Sequence, residues 1–222
     1  MKEYKNYAVV LSGCGRMDGS EIHEATTLLL SISQAGHKYQ CFAPDVEQFK
    51  VSNNLTGENM LEKRNVLVEA ARIARGQIKN LKEYNPKDFD GILFPGGIGA
   101  VLNLCDYGAK GLNCLVNQDV ERAILSTYDS KKQIGAMCIA PVLLAKVLGN
   151  LGITITLGSD REYANEVIDI KHMGAKHQNV VASGICVDKP HKIVTTPAYM
   201  LCKDISEVYN GAKAFVEAIA DL

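Results

Sequence analysis

The sequence predicts an α/β fold with a mostly parallel central sheet that is covered by helices on both faces. Short apolar runs of strand length alternate with longer segments of helical period along the chain. Apolar strands separated by helices are typical of parallel sheets that are buried on both faces. The chain shows no repeat, linker or low-complexity stretch, so residues 1–222 are expected to form a single domain.

The elements follow from the pattern in chain order. Strands are expected at residues 7–12, 38–43, 90–94, 133–137, 153–157 and 193–196. Helices are expected at residues 21–35, 62–75, 116–128, 140–147 and 204–219. Gly36 and Gly76 end the first two helices, and Pro141 lies in a first turn, where its missing N–H is tolerated. The segments 46–60 and 99–117 are long for connections between strands and helices, so they are candidate lids or binding loops.

Composition and charge exclude several classes of function. With 47% hydrophobic residues and a net charge of −1, the chain gives no reason to expect a nucleic acid or an anionic membrane as partner. No apolar run reaches the roughly 18 residues that span a membrane, and the first residues lack the pattern of a signal peptide. The 7 cysteines form no CxxC pair and no zinc-like cluster with histidine. We therefore expect free thiols, no bound metal and a cytoplasmic location.

The most informative single residue is Cys138. It follows the strand-like segment 133–137 and directly precedes a helical pattern. A nucleophile at such a corner is exposed at the carboxyl edge of the sheet, beside the free N–H groups of the next helix. These groups and the helix dipole lower the pKa of a thiol and favour the reactive thiolate. The alternative is a small buried hydrophobic residue, as most free cysteines are.

Two further pieces of sequence are expected at the same edge, because ligands of such sheets lie outside the carboxyl ends of the strands. In the first helix, Glu21 projects onto the apolar stripe and Glu24 onto its flank, although acidic residues also favour first turns for electrostatic reasons alone. After the third predicted strand, Gly96 and Gly97 are either a simple tight turn or a close backbone approach to substrate. In the second case they would aim N–H groups at an oxyanion, with Ile139 supplying another donor.

The first turn also resembles part of a dinucleotide fingerprint. Gly13 and Gly15 follow a strand and Asp45 follows the second strand, but the third glycine position is occupied by Asp18. A pyrophosphate would then lie near Asp18 and the acidic residues of the first helix. Like charges about 5 Å apart at an effective dielectric constant near 20 repel by about 3 kcal/mol for each pair, so we reject nucleotide binding there.

In combination, these motifs resemble the ThiJ/PfpI superfamily, relatives of class I glutamine amidotransferases. The resemblance rests on a glutamate early in the first helix, a Pro-Gly-Gly turn and Cys-x-Ala-Pro at the corner. Within the superfamily, the chain is most similar to the ElbB group of enhancing lycopene biosynthesis or sigma cross-reacting proteins. The segments that carry this likeness span nearly the whole chain: 11–15, 18–25, 41–45, 64–67, 137–141 and Thr195-Thr196-Pro197-Ala198-Tyr199-Met200.

The resemblance implies a flavodoxin-like three-layer sandwich, a homodimer and a cysteine that is assisted by a glutamate. The glutamate of the superfamily lies twelve residues before the glycine that ends the first helix, and this offset from Gly36 identifies Glu24. The apolar stripe favours Glu21 instead. We predict Glu24 as the base, with Glu21 in the site as an orienting residue.

Among the activities of the superfamily, the resemblance favours a cofactor-independent glyoxalase that converts small α-oxoaldehydes such as glyoxal and methylglyoxal. Peptidase-like relatives carry histidine after the nucleophile, whereas this chain has Ile139, so peptide hydrolysis lacks its proton carrier. Sequence alone does not place His172 or His177 near Cys138. The alternative from another class is a non-catalytic, redox-sensing protein with an oxidisable Cys138.

Overall fold

A seven-stranded sheet forms the centre of the computed structural model, which describes residues 4–222. The strands in chain order are β1 (Asn6–Val10), β2 (Lys38–Ala43), β3 (Ile78–Asn80), β4 (Gly91–Phe94), β5 (Gln133–Met137), β6 (Thr154–Ile155), β7 (Lys176–His177), β8 (Cys186–Asp188) and β9 (Ile193–Thr196). The order across the sheet is β3-β2-β1-β4-β5-β9-β8, and β6 pairs with β7 in a small separate sheet. Every pairing in the large sheet is parallel except β8 with β9. The mostly parallel α/β sheet of the prediction is confirmed.

Helices cover both faces of this sheet. They are α1 (Ile22–Gln34), α2 (Val66–Ile73), α3 (Ile98–Leu102), α4 (Tyr107–Lys110), α5 (Gln118–Asp129), α6 (Pro141–Leu148), α7 (Ala164–His172) and α8 (Ile205–Ala220). Alternate residues of β1 point to opposite faces: Tyr7 and Val9 pack with residues of α1, α2 and α8, and Ala8 and Val10 pack with residues of α3, α5, α6 and α7. The result is a three-layer sandwich in which the carboxyl ends of β1, β4 and β5 lie side by side.

The differences from the predicted elements have local causes. The helix expected over 62–75 begins only at Val66, because the Asn65 side chain caps it by accepting the N–H of Val68. The strand expected over 153–157 is reduced to β6 and lies outside the main sheet. Six short elements were not predicted: β3, β7, β8, α3, α4 and α7. The three strands have two or three residues each, and α7 is rich in charged residues. α3 and α4 have five and four residues and occupy part of the segment 99–117, which was predicted to be a long connection. Among residues 4–222, no helix is both long and apolar enough to cross a membrane.

Candidate active site

Cys138 lies at a sharp corner between β5 and α6. Its φ of +59° is unusual for a residue other than glycine. The corner is held by the Cys138 N–H, which donates to the Thr196 carbonyl at the end of β9 (2.9 Å), and by the Ala140 N–H, which donates to the Met137 carbonyl (3.0 Å). Because the flanking strand and helix fix this conformation, the half-buried side chain is presented at the carboxyl edge of the sheet.

Glu24 is the acidic residue next to Cys138. It is fully buried in the first turn of α1. Its Oε2 accepts the N–H of Gly96 (3.0 Å) and its Oε1 accepts the N–H of Tyr199 (3.2 Å), and its carboxyl also hydrogen-bonds the Cys138 thiol. Burial, and secondly the nearby Glu21 carboxylate, raise the pKa of Glu24 to about 8. A carboxyl group with such a pKa exchanges protons readily near neutral pH.

The thiol of Cys138 has opposing influences on its pKa. Burial and the neighbouring Glu24 raise this pKa well above the ordinary value, whereas hydrogen bonds from the N–H groups of Gly97 and Ile139 lower it. The net direction is upward, so the expectation of a lowered thiol pKa is wrong for the resting site. Ile139, at the start of the helix after Cys138, and Gly97, at the start of α3, supply these donors, but burial and the adjacent carboxyl group outweigh them.

Gly96 and Gly97 bring the backbone close to the reactive groups. A Cβ on Gly96 would lie 2.4 Å from the Cβ of Cys138 and 2.6 Å from Oε2 of Glu24. A Cβ on Gly97 would lie 2.3 Å from the backbone nitrogen of Glu21, and the φ of Gly97 is +99°. The N–H of Gly96 donates to Glu24, so it is not the oxyanion donor that was predicted; Gly97 and Ile139 direct their N–H groups to the sulfur.

Glu21 supports Glu24 rather than contacting the thiol. Its carboxylate accepts the N–H of Glu24 (2.8 Å) and caps α1, and its own N–H donates to the Gly96 carbonyl (2.9 Å). Its backbone is extended, with φ −64° and ψ 123°. The helical stripe that favoured Glu21 therefore does not apply, because this residue precedes the helix.

A cavity of about 320 Å³ opens over the thiol. Its lining comprises Arg16, Glu21, Glu24, Gly97, Ile98, Cys138, Ile139, Tyr163, Glu166, Tyr199 and Met200. Sequence reasoning missed Arg16, Tyr163, Glu166 and the role of Tyr199, although Tyr199 lies in one of the motifs that carried the resemblance. The long segments 46–60 and 99–117 do not line this cavity, nor do His172 and His177. A larger open depression of about 720 Å³ beside residues 47–63 contains no cysteine.

The glycine turn after β1 contains a buried carboxylate, unlike a turn that binds the phosphates of a nucleotide. Asp18 is almost completely buried, and its carboxylate accepts the N–H of Ser52 (2.8 Å) and the side-chain amide of Asn54 (3.2 Å). A Cβ on Gly15 would lie 3.0 Å from Asp18 Oδ1. The turn is thus filled by a carboxylate that anchors the segment 46–60. Within residues 4–222, no three His, Cys, Asp or Glu side chains are grouped so that they could hold a metal ion.

Comparison with known proteins identifies the family. A rat protein named ES1 protein homolog, mitochondrial, is 42% identical over 222 residues, which cover 97% of this chain and 83% of the rat protein. A human protein named glutamine amidotransferase-like class 1 domain-containing protein 3, mitochondrial, is also 42% identical, over 97% of this chain and 82% of its own length. The chain belongs to the ES1 family of amidotransferase-like proteins. The expected cytoplasmic location is contradicted by these names, which place both relatives in mitochondria. Free cysteines are compatible with any reducing compartment, so they do not distinguish the cytoplasm from the mitochondrion.

Solved structures show the same amidotransferase-like fold. A crystal structure of an isoprenoid biosynthesis protein with an amidotransferase-like domain from Ehrlichia chaffeensis has a TM-score of 0.89 and 31% identity, over 97% of this chain and 99% of that one. A glyoxalase III from Candida albicans, at 15% identity and a TM-score of 0.59 over 96% of this chain and 97% of its own, shares the fold. No protein-family model matches the chain.

Proposed function

We propose that this ES1-family protein converts small α-oxoaldehydes such as methylglyoxal, together with one water molecule, to 2-hydroxy acids without a cofactor. The observation that carries the proposal is the pairing of the Cys138 thiol with a buried carboxyl group, Glu24, whose pKa is raised to about 8. Such a carboxylate is a stronger base than an exposed one, and it directly contacts the nucleophile. The cavity of about 320 Å³ suits a small substrate.

In the first step, the sulfur of Cys138 adds to the aldehyde carbon. Glu24 in its ionised form accepts the thiol proton as the carbon–sulfur bond forms, so a thiol with a raised pKa is activated only in the presence of substrate. The aldehyde oxygen becomes an oxyanion next to the N–H groups of Gly97 and Ile139, which contact the sulfur in the resting site. Glu24 then returns the proton to this oxygen, giving a neutral hemithioacetal.

In the second step, the ionised Glu24 removes the hydrogen from the former aldehyde carbon as a proton. The electron pair moves to the neighbouring carbonyl and forms an enediolate, whose oxygen on the neighbouring carbon takes up a proton. Glu24 returns its proton to the neighbouring carbon as the first hydroxyl group releases its own proton and becomes the thioester carbonyl. The product on Cys138 is a thioester of the 2-hydroxy acid, and water cleaves it to free the thiol. One carbon is oxidised and its neighbour is reduced, so the reaction needs water but no external oxidant or reductant.

A turnover assay tests this proposal. Purified protein is mixed with methylglyoxal in the absence of glutathione, and lactate is measured over time. We expect lactate from the wild type and from Cys14→Ser, a matched control at a half-buried cysteine outside the cavity. Cys138→Ala should form none above the background rate. Equal lactate formation by Cys138→Ala and the wild type would contradict the proposal.

Two finer assignments from the sequence remain proposals. Membership of the ElbB group is supported by the motifs around the first turn, Cys138 and residues 195–200. The homodimer that the same resemblance implies stays a prediction, and light scattering of the purified protein measures it directly.

The second candidate function is a redox sensor, and one observation favours it. With a pKa of about 8, Glu24 carries a proton at neutral pH and can donate it to an oxygen bound to the Cys138 sulfur. The raised pKa of the thiol works against this function, because peroxide reacts with the thiolate. Mass spectrometry after limiting peroxide distinguishes the two: a sensor would oxidise Cys138 ahead of Cys14, whereas the proposed enzyme would not.

A further inference from the structure

A histidine and a tyrosine that are far apart in sequence meet at the edge of the cavity. Nδ1 of His23 and the hydroxyl oxygen of Tyr199 are 2.7 Å apart, and the two ring centroids are 5.9 Å apart. His23 lies in the first turn of α1, immediately before Glu24. Tyr199 lies in the short 3-10 helix Ala198–Met200 that follows β9. The pair therefore joins the two elements that surround the Glu24 carboxyl group.

Tyr199 is already part of the site through its backbone and its position. Its N–H donates to Oε1 of Glu24 (3.2 Å), and the residue lines the cavity over Cys138. Burial raises the pKa of Tyr199, and Glu21 and Glu24 raise it further. The phenol thus keeps its proton at neutral pH and serves as a hydrogen-bond donor. Tyr163 also lines the cavity, but its hydroxyl donates to the Met200 carbonyl (2.7 Å).

The proposed isomerisation creates a need for such a donor. When Glu24 removes the proton from the first substrate carbon, negative charge develops on the oxygen of the second carbon. The N–H groups of Gly97 and Ile139 hydrogen-bond the sulfur in the resting site and are assigned to the first carbon's oxygen in the proposed first step, so the second oxygen needs a donor of its own. In a water-excluding site, a fixed donor at a developing oxyanion is a large contribution to catalysis.

We propose that Tyr199 is a further catalytic residue, whose hydroxyl donates to the second substrate oxygen, and that His23 is its positioning residue; this inference rests on the proposed glyoxalase-type function. With the proton on Nδ1, His23 donates to the Tyr199 oxygen and leaves the hydroxyl hydrogen directed to the substrate. Tyr199 gives this proton to the enediolate oxygen. The proton released from the first hydroxyl group, as the thioester carbonyl forms, restores the tyrosine.

The test compares kcat and KM for methylglyoxal among variants of the full chain. Tyr199→Phe retains the ring and the backbone N–H to Glu24 and removes only the hydroxyl. We expect it to lower kcat by about 10²-fold, the usual scale for the loss of an oxyanion donor, with a KM close to that of the wild type. The matched control is Tyr209→Phe, whose hydroxyl donates to Gln34 on another surface (2.7 Å) and whose loss should leave kcat unchanged.

The positioning role of His23 is tested by a conservative replacement. His23→Leu should lower kcat, and His23→Asn should restore part of it, because an amide can donate a hydrogen bond in place of Nδ1. Normal kcat in Tyr199→Phe, or equal loss in His23→Leu and His23→Asn, would contradict the inference and leave the proposed function standing. A wild type that forms no lactate would overturn both.

Discussion

Replacing Glu24 with glutamine should change how the stability of the protein depends on pH. The pKa of Glu24 is raised from 4.5 to about 8. Between these values the folded protein keeps a proton that the unfolded chain loses, so the stability of the wild type falls as pH rises through this window. At 1.36 kcal/mol for each pKa unit, the ionisable side chain removes about 5 kcal/mol across the whole window. Glu24→Gln abolishes this dependence, because an amide does not ionise.

Urea unfolding at several pH values measures this effect. We expect the free energy of unfolding of the wild type, relative to that of Glu24→Gln, to decrease steadily between about pH 5 and pH 8. The glutamine also loses one acceptor for the N–H groups of Gly96 and Tyr199, which shifts its curve by a constant amount of about 1 kcal/mol. The control is Glu121→Gln at an exposed position of α5. Parallel curves for the wild type and Glu24→Gln would refute the assignment of a raised pKa to Glu24.

Three further predictions concern activity, reactivity and packing. Glu24→Gln should lower lactate formation by about 10² to 10⁴-fold. Glu21→Gln keeps an acceptor for the α1 cap, so it should lose less of this activity. A greater loss of activity in Glu21→Gln than in Glu24→Gln would contradict the roles given to the two acids. Alkylation of Cys138 by iodoacetamide near neutral pH should be slow, because burial and Glu24 raise the thiol pKa, and it should accelerate in Glu24→Gln, where burial remains but the carboxylate is gone. Peptide mapping that shows no acceleration would be contrary evidence. Gly96→Ala should destabilise the fold by about 1 to 3 kcal/mol or more and abolish turnover. The control, Gly36→Ala, should retain turnover, because no atom lies within 4 Å of the added Cβ. Thermal unfolding measures the stability of both variants, and the lactate assay measures their turnover.

The parts of the fold that were predictable from the sequence are those with long apolar runs. β5 and β9 lie at the predicted residues, because all of their residues are buried in the sheet. β2 also lies at the predicted residues, although only its second half is apolar and buried. β3 was missed, since it has three residues, pairs only with β2 and forms an edge of the sheet. Edge strands are only partly buried and lack the continuous apolar run that marks the inner ones.

The site residues that lie close together in the sequence were predictable, and those that meet only in the folded structure were not. Cys138 and the Ile139 donor follow from one strand-to-helix corner, and the Gly97 donor follows from the Pro-Gly-Gly turn between β4 and α3. The order of Glu24 and Glu21 did not follow from helical periodicity, because Glu21 caps the helix from an extended conformation. Tyr199 and His23 are 176 residues apart, and no pattern along the chain indicates that they meet. The raised thiol pKa also depends on burial and on Glu24, which become evident only in three dimensions.

The central claim, that Cys138 adds to the aldehyde and Glu24 then moves a proton, is tested most directly by following both steps at once. Methylglyoxal isotopically labelled at the aldehyde carbon is mixed with stoichiometric protein and observed by NMR. The account predicts labelled lactate with the wild type and neither lactate nor a hemithioacetal in Cys138→Ala. In Glu24→Gln, where water must accept the thiol proton in place of the carboxylate, it predicts a labelled hemithioacetal that forms slowly and persists, with lactate formed about 10² to 10⁴-fold more slowly than by the wild type. Labelled lactate from Glu24→Gln at the rate of the wild type, or a protein-bound adduct in Cys138→Ala that proceeds to lactate, would contradict it.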